Sequence, residues 1–383
     1  MVQKSTTSSS IKQAGFGLTA FMQTVAFSVC FAAVTGQGLI SALFCIVSCA
    51  AFSLITTDNI CTPTPLLIVP FFFVCENTSP LGAFISISTG AMFFLLINKI
   101  ITRKRNIPDH IIASTMLGLC IGATIILTNS YFGIGALGAT PLEMLKSYRS
   151  LGFHPHFMGL LTGTITLFTM ITYPFKFKKL SKIIPASFIT IAIPYILNLW
   201  LNPSVKYTAI NEAVTLTPLQ NIQISDIFSL PTKENIFIII EGGLAFLWLF
   251  IVMSDTTKKQ KLQICNIFSP FPTTATPITH YGLLSAIIII TLTILSFALL
   301  PLLFTRLPVH SAGAMLIVAA WQGIPYKKIA TSFKNKEKRT ANLICFFICA
   351  ISFIVFNVYI ATLISIIVTN ISTPVRKEKK NNG

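Results

Sequence analysis

The chain has 383 residues, of which 53% are apolar and 10% charged, against roughly a quarter charged in an ordinary soluble domain. Mean hydropathy is +0.77; a soluble fold of this size lacks the interior to hide so much apolar sequence, and disorder and a disulfide scaffold are excluded with it. Lys and Arg number 28 and Asp and Glu 11, a net charge of +17, which in a soluble protein points to nucleic acid and in a membrane protein records orientation.

About twenty apolar residues cross a bilayer as a helix. The sequence predicts such spans, in order, at 14–34, 38–56, 81–101, 110–129, 156–175, 183–201, 235–253, 282–304 and 341–358. The first run is too long for a signal-peptide core and reads as a retained span. Five further apolar pieces, at 61–75, 262–271, 272–281, 309–324 and 359–371, are too short or too broken for an ordinary span. Cys61-Thr62-Pro63-Thr64-Pro65 leads straight into an apolar run, and Phe271-Pro272-Thr273-Thr274-Ala275-Thr276-Pro277 has the same character. Paired prolines cannot lie inside a regular helix but can precede one. Broken backbone at membrane depth survives only where protein or a water-filled cavity surrounds it, and one break in each half of a chain points to a transporter site.

Two long polar connections lie at 130–155 and 202–234. The second divides the chain into halves of similar hydropathy. The expected organisation is a cytoplasmic N-terminus (1–13), a first transmembrane repeat (14–201), an extracytoplasmic linker (202–234), a second repeat (235–371) and a cytoplasmic tail (372–383).

Counting the broken pieces as spans gives seven per half. One side then holds 23 basic residues, at Lys4, Lys12 and the clusters within 99–105, 176–182, 258–261, 327–339 and 376–380. The other holds 5: Lys146, Arg149, Lys206, Lys233 and Arg306. This positive-inside bias puts both termini in the cytoplasm of a multi-pass inner (plasma) membrane protein and demands an even number of crossings. It therefore predicts two short helices, meeting near Asn357–Tyr359, in place of one tilted helix over 341–371. An odd number of spans per half makes the halves inverted repeats. The sequence echoes this: Gly17-Leu18-Thr19-Ala20-Phe21 against Gly243-Leu244-Ala245-Phe246, and Thr62-Pro63-Thr64-Pro65 against Pro272-Thr273-Thr274-Ala275.

Several stretches, in order over nearly the whole chain, are similar to the sulfate permease (SulP) family of anion transporters. Residues 17–28, from Gly17 through Gln23 to Ser28, resemble the family's first span, with Met22 where a proline is usual. Cys61-Thr62-Pro63-Thr64 resembles its third-span S-G-P-T. Asn106-Ile107-Pro108-Asp109-His110 resembles the start of span five, and Lys182-Ile183-Ile184-Pro185-Ala186 that of span seven. Leu307-Pro308 with Ala314 through Trp321 resembles the twelfth span. Three departures stand out. Phe246 lies near the place of the family's eighth-span Glu. The stretch 262–281 is shortened, and the cytoplasmic STAS domain is expected to be absent.

The resemblance implies an all-α 7+7 inverted-repeat fold with broken spans 3 and 10, and an anion site between those breaks. The expected substrate-binding residues are Gln23, Phe27, Thr62, Pro63, Thr64, Phe246, Thr273, Thr274 and Ala275. A half-helix starting at mid-membrane offers free N–H groups and a positive dipole end, so no buried Lys or Arg is needed. The threonine hydroxyls either add donors to the anion or only satisfy backbone at the breaks. Gln23 serves the site or an interhelical hydrogen bond. Glu241, the one acidic residue inside a clear span, is the candidate for H⁺ or Na⁺ coupling or lines the pore mouth.

Other constellations point nowhere strong. The cysteine pairs Cys45/Cys49 and Cys345/Cys349 lie in apolar runs and read as small fillers. His154-Pro155-His156 is a poor metal site. Without a nucleophile–base pair, phosphate loop or zinc motif, the reading is of no enzyme, no cofactor and no metal, with no nucleic acid as partner. The expected partners are a small anion such as sulfate, bicarbonate or a carboxylate, an H⁺ or Na⁺ ion and membrane lipid. A homodimer is implied by the resemblance alone. The rival readings are a nucleobase–cation symporter, which would need acidic residues on spans eight and ten, and a non-transporting relic or scaffold.

Overall fold

A computed structural model of the chain describes residues 2–35, 107–134, 138, 140–151, 157–201, 233–259, 283–299, 307–322, 324, 326, 329–330, 333 and 339–372, with 69, 74, 85–90, 92–94 and 96 between them. The described residues are helical apart from short turns and caps. The helices are α1 (Val2–Thr35), α2 (Asp109–Phe132), α3 (Pro141–Leu151), α4 (Phe157–Lys176), α5 (Ala186–Leu201), α6 (Lys233–Lys259), α7 (Leu283–Leu299), α8 (Val309–Gln322), α9 (Arg339–Val355) and α10 (Val358–Ser372). Residues 85–90, 92–94 and 96 are helical as well.

Proline sets several of the starts. Pro108 takes an extended conformation (φ −57°, ψ 138°) immediately before α2, and its carbonyl accepts from Ile111 and Ile112 at 3.0 and 3.2 Å. Pro308 repeats the pattern before α8, accepting from Ser311 and Ala312 at 3.0 and 3.1 Å. Pro185 does so for α5, three residues later than the predicted span begins. The stops are equally local. Gly133 closes α2 at φ +70°, and Ile134 donates back to the Asn129 carbonyl at 2.9 Å, a left-handed cap that glycine adopts without strain.

Two features depart from the expected outline. α1 continues the first span back to Val2, through the stretch read as an N-terminal tail. The polar connection 130–155 contains α3, started by the Thr140 hydroxyl accepting from the Glu143 amide at 3.2 Å. α3 packs on α2 and α9. Met144 is fully buried, and the Tyr148 hydroxyl donates to Asn129 Oδ1 and, at 3.2 Å, to the Ile125 carbonyl. By contrast, the chain does break where charge parity placed the break. α9 ends at Val355, and Asn357 caps α10 by accepting the Ile360 amide at 3.0 Å.

Small residues let these helices approach closely. A Cβ on Gly118 would lie 2.6 Å from the Ala350 carbonyl of α9, and one on Gly313 would lie 3.0 Å from the Leu127 carbonyl of α2. Neighbour directions follow. α2 runs parallel to α9, since Gly118 meets Ala350 and Gly122 the Phe353 carbonyl. It runs antiparallel to α8, where Gly313 meets Leu127 and Tyr131 while Trp321 Nε1 donates to Thr124 at 3.0 Å. α4 and α8 begin side by side, with Gly159 under the His310 ring.

The outer surface is apolar. Phe157, Phe175, Trp200, Phe237 and Ile371 are each more than 70% exposed. The interior is rich in Ala, Ser and Thr, and the hydroxyls mostly return to carbonyls of their own helix, as Thr293 does to Ile289 at 2.6 Å. Small residues inside and large apolar ones outside suit a lipid solvent. Among the described residues, α2 alone is both long and apolar enough to cross a bilayer by length and composition, with mean hydropathy 2.1. The shorter apolar helices, α8 among them, fall below that length.

Candidate substrate site

The candidate site is divided between α1 and α6. Gln23 and Phe27 are one turn apart on α1, and Gln23 (8% exposed) and Phe27 (1%) are both buried. α1 packs on α7, α8 and α5. Cys30, on the face that bears Gln23, approaches Met315 of α8 to 3.9 Å between sulfurs. α6 packs on α10 and α2 and carries Phe246, fully buried against the helical residues 85–90. A Cβ on Gly90 there would stand 2.8 Å from that of Phe246.

The structure does not set the two halves in direct apposition: among the described residues α1 and α6 form no extended contact. Thr62, Pro63 and Thr64 of the first break, and Thr273, Thr274 and Ala275 of the second, lie outside the described residues, as do His154 and His156. Glu241 is half-buried on α6, five residues from Phe246 and therefore on another face of the helix.

Electrostatically the interior is bare. Among the described residues no Lys, Arg, Asp or Glu is buried. No group of three His, Cys, Asp or Glu among them could hold a metal ion, and Cys345 and Cys349 carry free thiols. What the buried surface offers instead is neutral donors. Ser28 Oγ on α1 and Trp248 Nε1 on α6 are buried with no hydrogen-bond partner among the described residues. Ser187 Oγ, Ser311 Oγ and His110 Nε2 share that condition. In the sequence Ser28 and Trp248 are a lone hydroxyl and a lone indole in apolar runs, which burial alone turns into unmet hydrogen-bonding capacity.

No protein-family model matches the chain, and no curated protein matches it in sequence. Solved structures do. The transmembrane domain of a cyanobacterium bicarbonate transporter, BicA, superposes with a TM-score of 0.62 at 15% identity, covering 94% of this chain and 97% of that one. SLC26A9 gives 0.63 at 10% identity, over 96% of this chain and 66% of its own. The murine Slc26a9 anion transporter in the inward-facing state gives 0.60 at 11%, over 95% and 69%. At such low identity the likeness is one of fold. The chain is thus an all-helical protein with the fold of the SulP and SLC26 anion transporters' transmembrane domain, the fold its sequence motifs resemble.

Proposed function

We propose that the chain is a secondary active transporter that carries a small inorganic or organic anion across the inner (plasma) membrane by alternating access. The observation that carries this reading is the likeness, along almost the whole chain, to a bicarbonate transporter's transmembrane domain and to an anion transporter. The bare interior agrees with it. With no fixed cation among the buried described residues, an anion is held by helix N-termini and neutral donors, which bind without trapping. Gln23 and Phe27 on α1 and Phe246 on α6 line the site together with the breaks at Thr62, Pro63, Thr64 and Thr273, Thr274, Ala275. Glu241 is where H⁺ or Na⁺ couples.

In the proposed architecture, spans 1–4 and 8–11 form a core that moves against a gate of spans 5–7 and 12–14. The helix directions support the seven-plus-seven count. α1 and α7 are spans 1 and 11, α2 and α9 are spans 5 and 13, and each pair is parallel, as alternate crossings require. α2 and α8, spans 5 and 12, are antiparallel. The charge bias supports cytoplasmic termini, and the resemblance supports a homodimer.

Reconstituted protein tests this directly. Proteoliposomes are expected to accumulate one or more of labelled sulfate, bicarbonate or a dicarboxylate in a saturable way, and no labelled nucleobase. The combined change Thr64→Val with Thr274→Val is expected to raise KM for the anion. Folded protein that accumulates no anion in either orientation overturns the reading, and nucleobase uptake replaces it with the symporter.

A further inference from the structure

Two hydrogen bonds far apart in sequence have the same construction. Ser285 Oγ on α7 donates to the Gln13 carbonyl of α1 at 2.8 Å. Ser86 Oγ, in the helical residues 85–90, donates to the Ile239 carbonyl of α6 at 3.0 Å. In each case the residue four positions after the acceptor is a glycine, Gly17 and Gly243. In each case that glycine lies against the serine's own carbonyl and the Cβ three residues beyond it. A Cβ on Gly17 would lie 3.2 Å from the Ser285 carbonyl and 3.3 Å from Ile288 Cβ. One on Gly243 would lie 3.5 Å from the Ser86 carbonyl and 3.6 Å from Thr89 Cβ.

The chemistry explains why the two residue types occur together. Inside a helix the carbonyl of residue i already accepts the N–H of residue i+4, leaving one lone pair over. A side chain at i+4 would cover that lone pair and hold the neighbouring helix off. Glycine uncovers it and lets the serine reach it. Both serines are fully buried, where hydrogen bonds between helices fix register.

We propose that Ser86 and Ser285 are matched positioning residues. Each locks the register of one helix of the binding site, α6 or α1, against its neighbour, so that α6 with the helical residues 85–90 and α1 with α7 travel as two rigid pairs during transport. The proposal deepens the transporter reading and rests on it for its functional consequence. The serines touch no substrate; they act through the placement of Phe246 on α6 and of Gln23 and Phe27 on α1.

The test uses the full chain in proteoliposomes. Ser86→Ala and Ser285→Ala are each expected to raise the KM of anion uptake at least threefold with kcat little changed, and Ser86→Thr and Ser285→Thr to restore it. A merely structural loss would lower the yield of folded protein without a KM shift. A second arm reads thermal midpoints in detergent as a double-mutant cycle. Ser86→Ala removes the donor of one bond and Gly243→Ala covers its acceptor. Each is expected to lower the midpoint, and the double variant to lower it little further than either single change. Unchanged KM in both alanine variants, or midpoint losses that simply add, overturns the proposal. Should the unmodified protein carry no anion, the transporter reading fails. The cycle then still decides whether serine and glycine act as one lock.

Discussion

Helices α2 and α8 begin alike and end differently. Each follows a proline whose carbonyl accepts the third and fourth amides beyond it, and each has histidine two residues after that proline, His110 and His310. α2 then runs 24 residues to a left-handed glycine, about 36 Å at 1.5 Å per residue. α8 stops after 14, about 21 Å, too short to cross a bilayer alone. α2 is apolar along its whole length and is packed by α3, α4, α6, α8, α9 and α10, whereas the shorter α8 is set among α1, α2, α4 and α5. Small residues, Ala312, Gly313, Ala314, Ala319 and Ala320, fill its buried face. The same start signal serves a helix long enough to cross a bilayer and one that is not.

That contrast can be broken most forcefully where α2 meets a neighbouring backbone most closely. Gly118→Val drives atoms into the Ala350 carbonyl that a Cβ would approach to 2.6 Å. It is expected to cost about 3 kcal/mol by overpacking, read as a large drop in thermal midpoint in detergent. At the looser approach of α8 to α2, Gly313→Ala meets backbone at 3.0 Å and is expected to cost about 1.5 kcal/mol. If the two costs came out reversed, α8 and not α2 would be the helix that tolerates no adjustment.

Smaller effects sharpen the comparison at the ends. Asn357→Ala removes the cap that starts α10 and is expected to cost about 1 kcal/mol, with Asn357→Ser recovering most of it. Tyr148→Phe removes the bond that ties α3 to the last turns of α2 and is expected to cost about 0.8 kcal/mol. Burial pushes the Tyr148 hydroxyl up from 10.0 to about 12. The folded state thus holds its proton longer than the unfolded chain does. This contribution is whole below pH 10 and is lost as pH rises from 10 towards about 12. Unfolding midpoints measured across that window are expected to fall less steeply in Tyr148→Phe. Equal slopes would mean that the hydroxyl is solvated and α3 is held by Met144 alone.

Local codes carried most of the outline. The proline starts before α2 and α8, the apolar runs and the break between α9 and α10 all follow from residues within a few positions of one another, or from charge parity across loops. α3 was legible in principle, since Thr140-Pro141-Leu142-Glu143 is a start signal. Its apolar stripe is narrow, Met144 and Tyr148 one turn apart, and Glu143, Lys146 and Arg149 give it the look of a loop. The candidate site was legible only in pieces. Gln23, Phe27 and Phe246 follow from motif resemblance, and burial adds Ser28 and Trp248.

By itself the sequence determined that this chain is helical and apolar enough for a membrane, and where many of its helices start and stop. Those properties depend on transfer of side chains to lipid and on capping, both short-range. Only the tertiary structure decided which helices touch and in what register. The bonds that set that register join residues 153 and 272 positions apart, and a serine or a glycine in an apolar run carries no mark of its distant partner. Close helix contact depends on the absence of a side chain at the crossing, which has meaning only once the opposing backbone is in place.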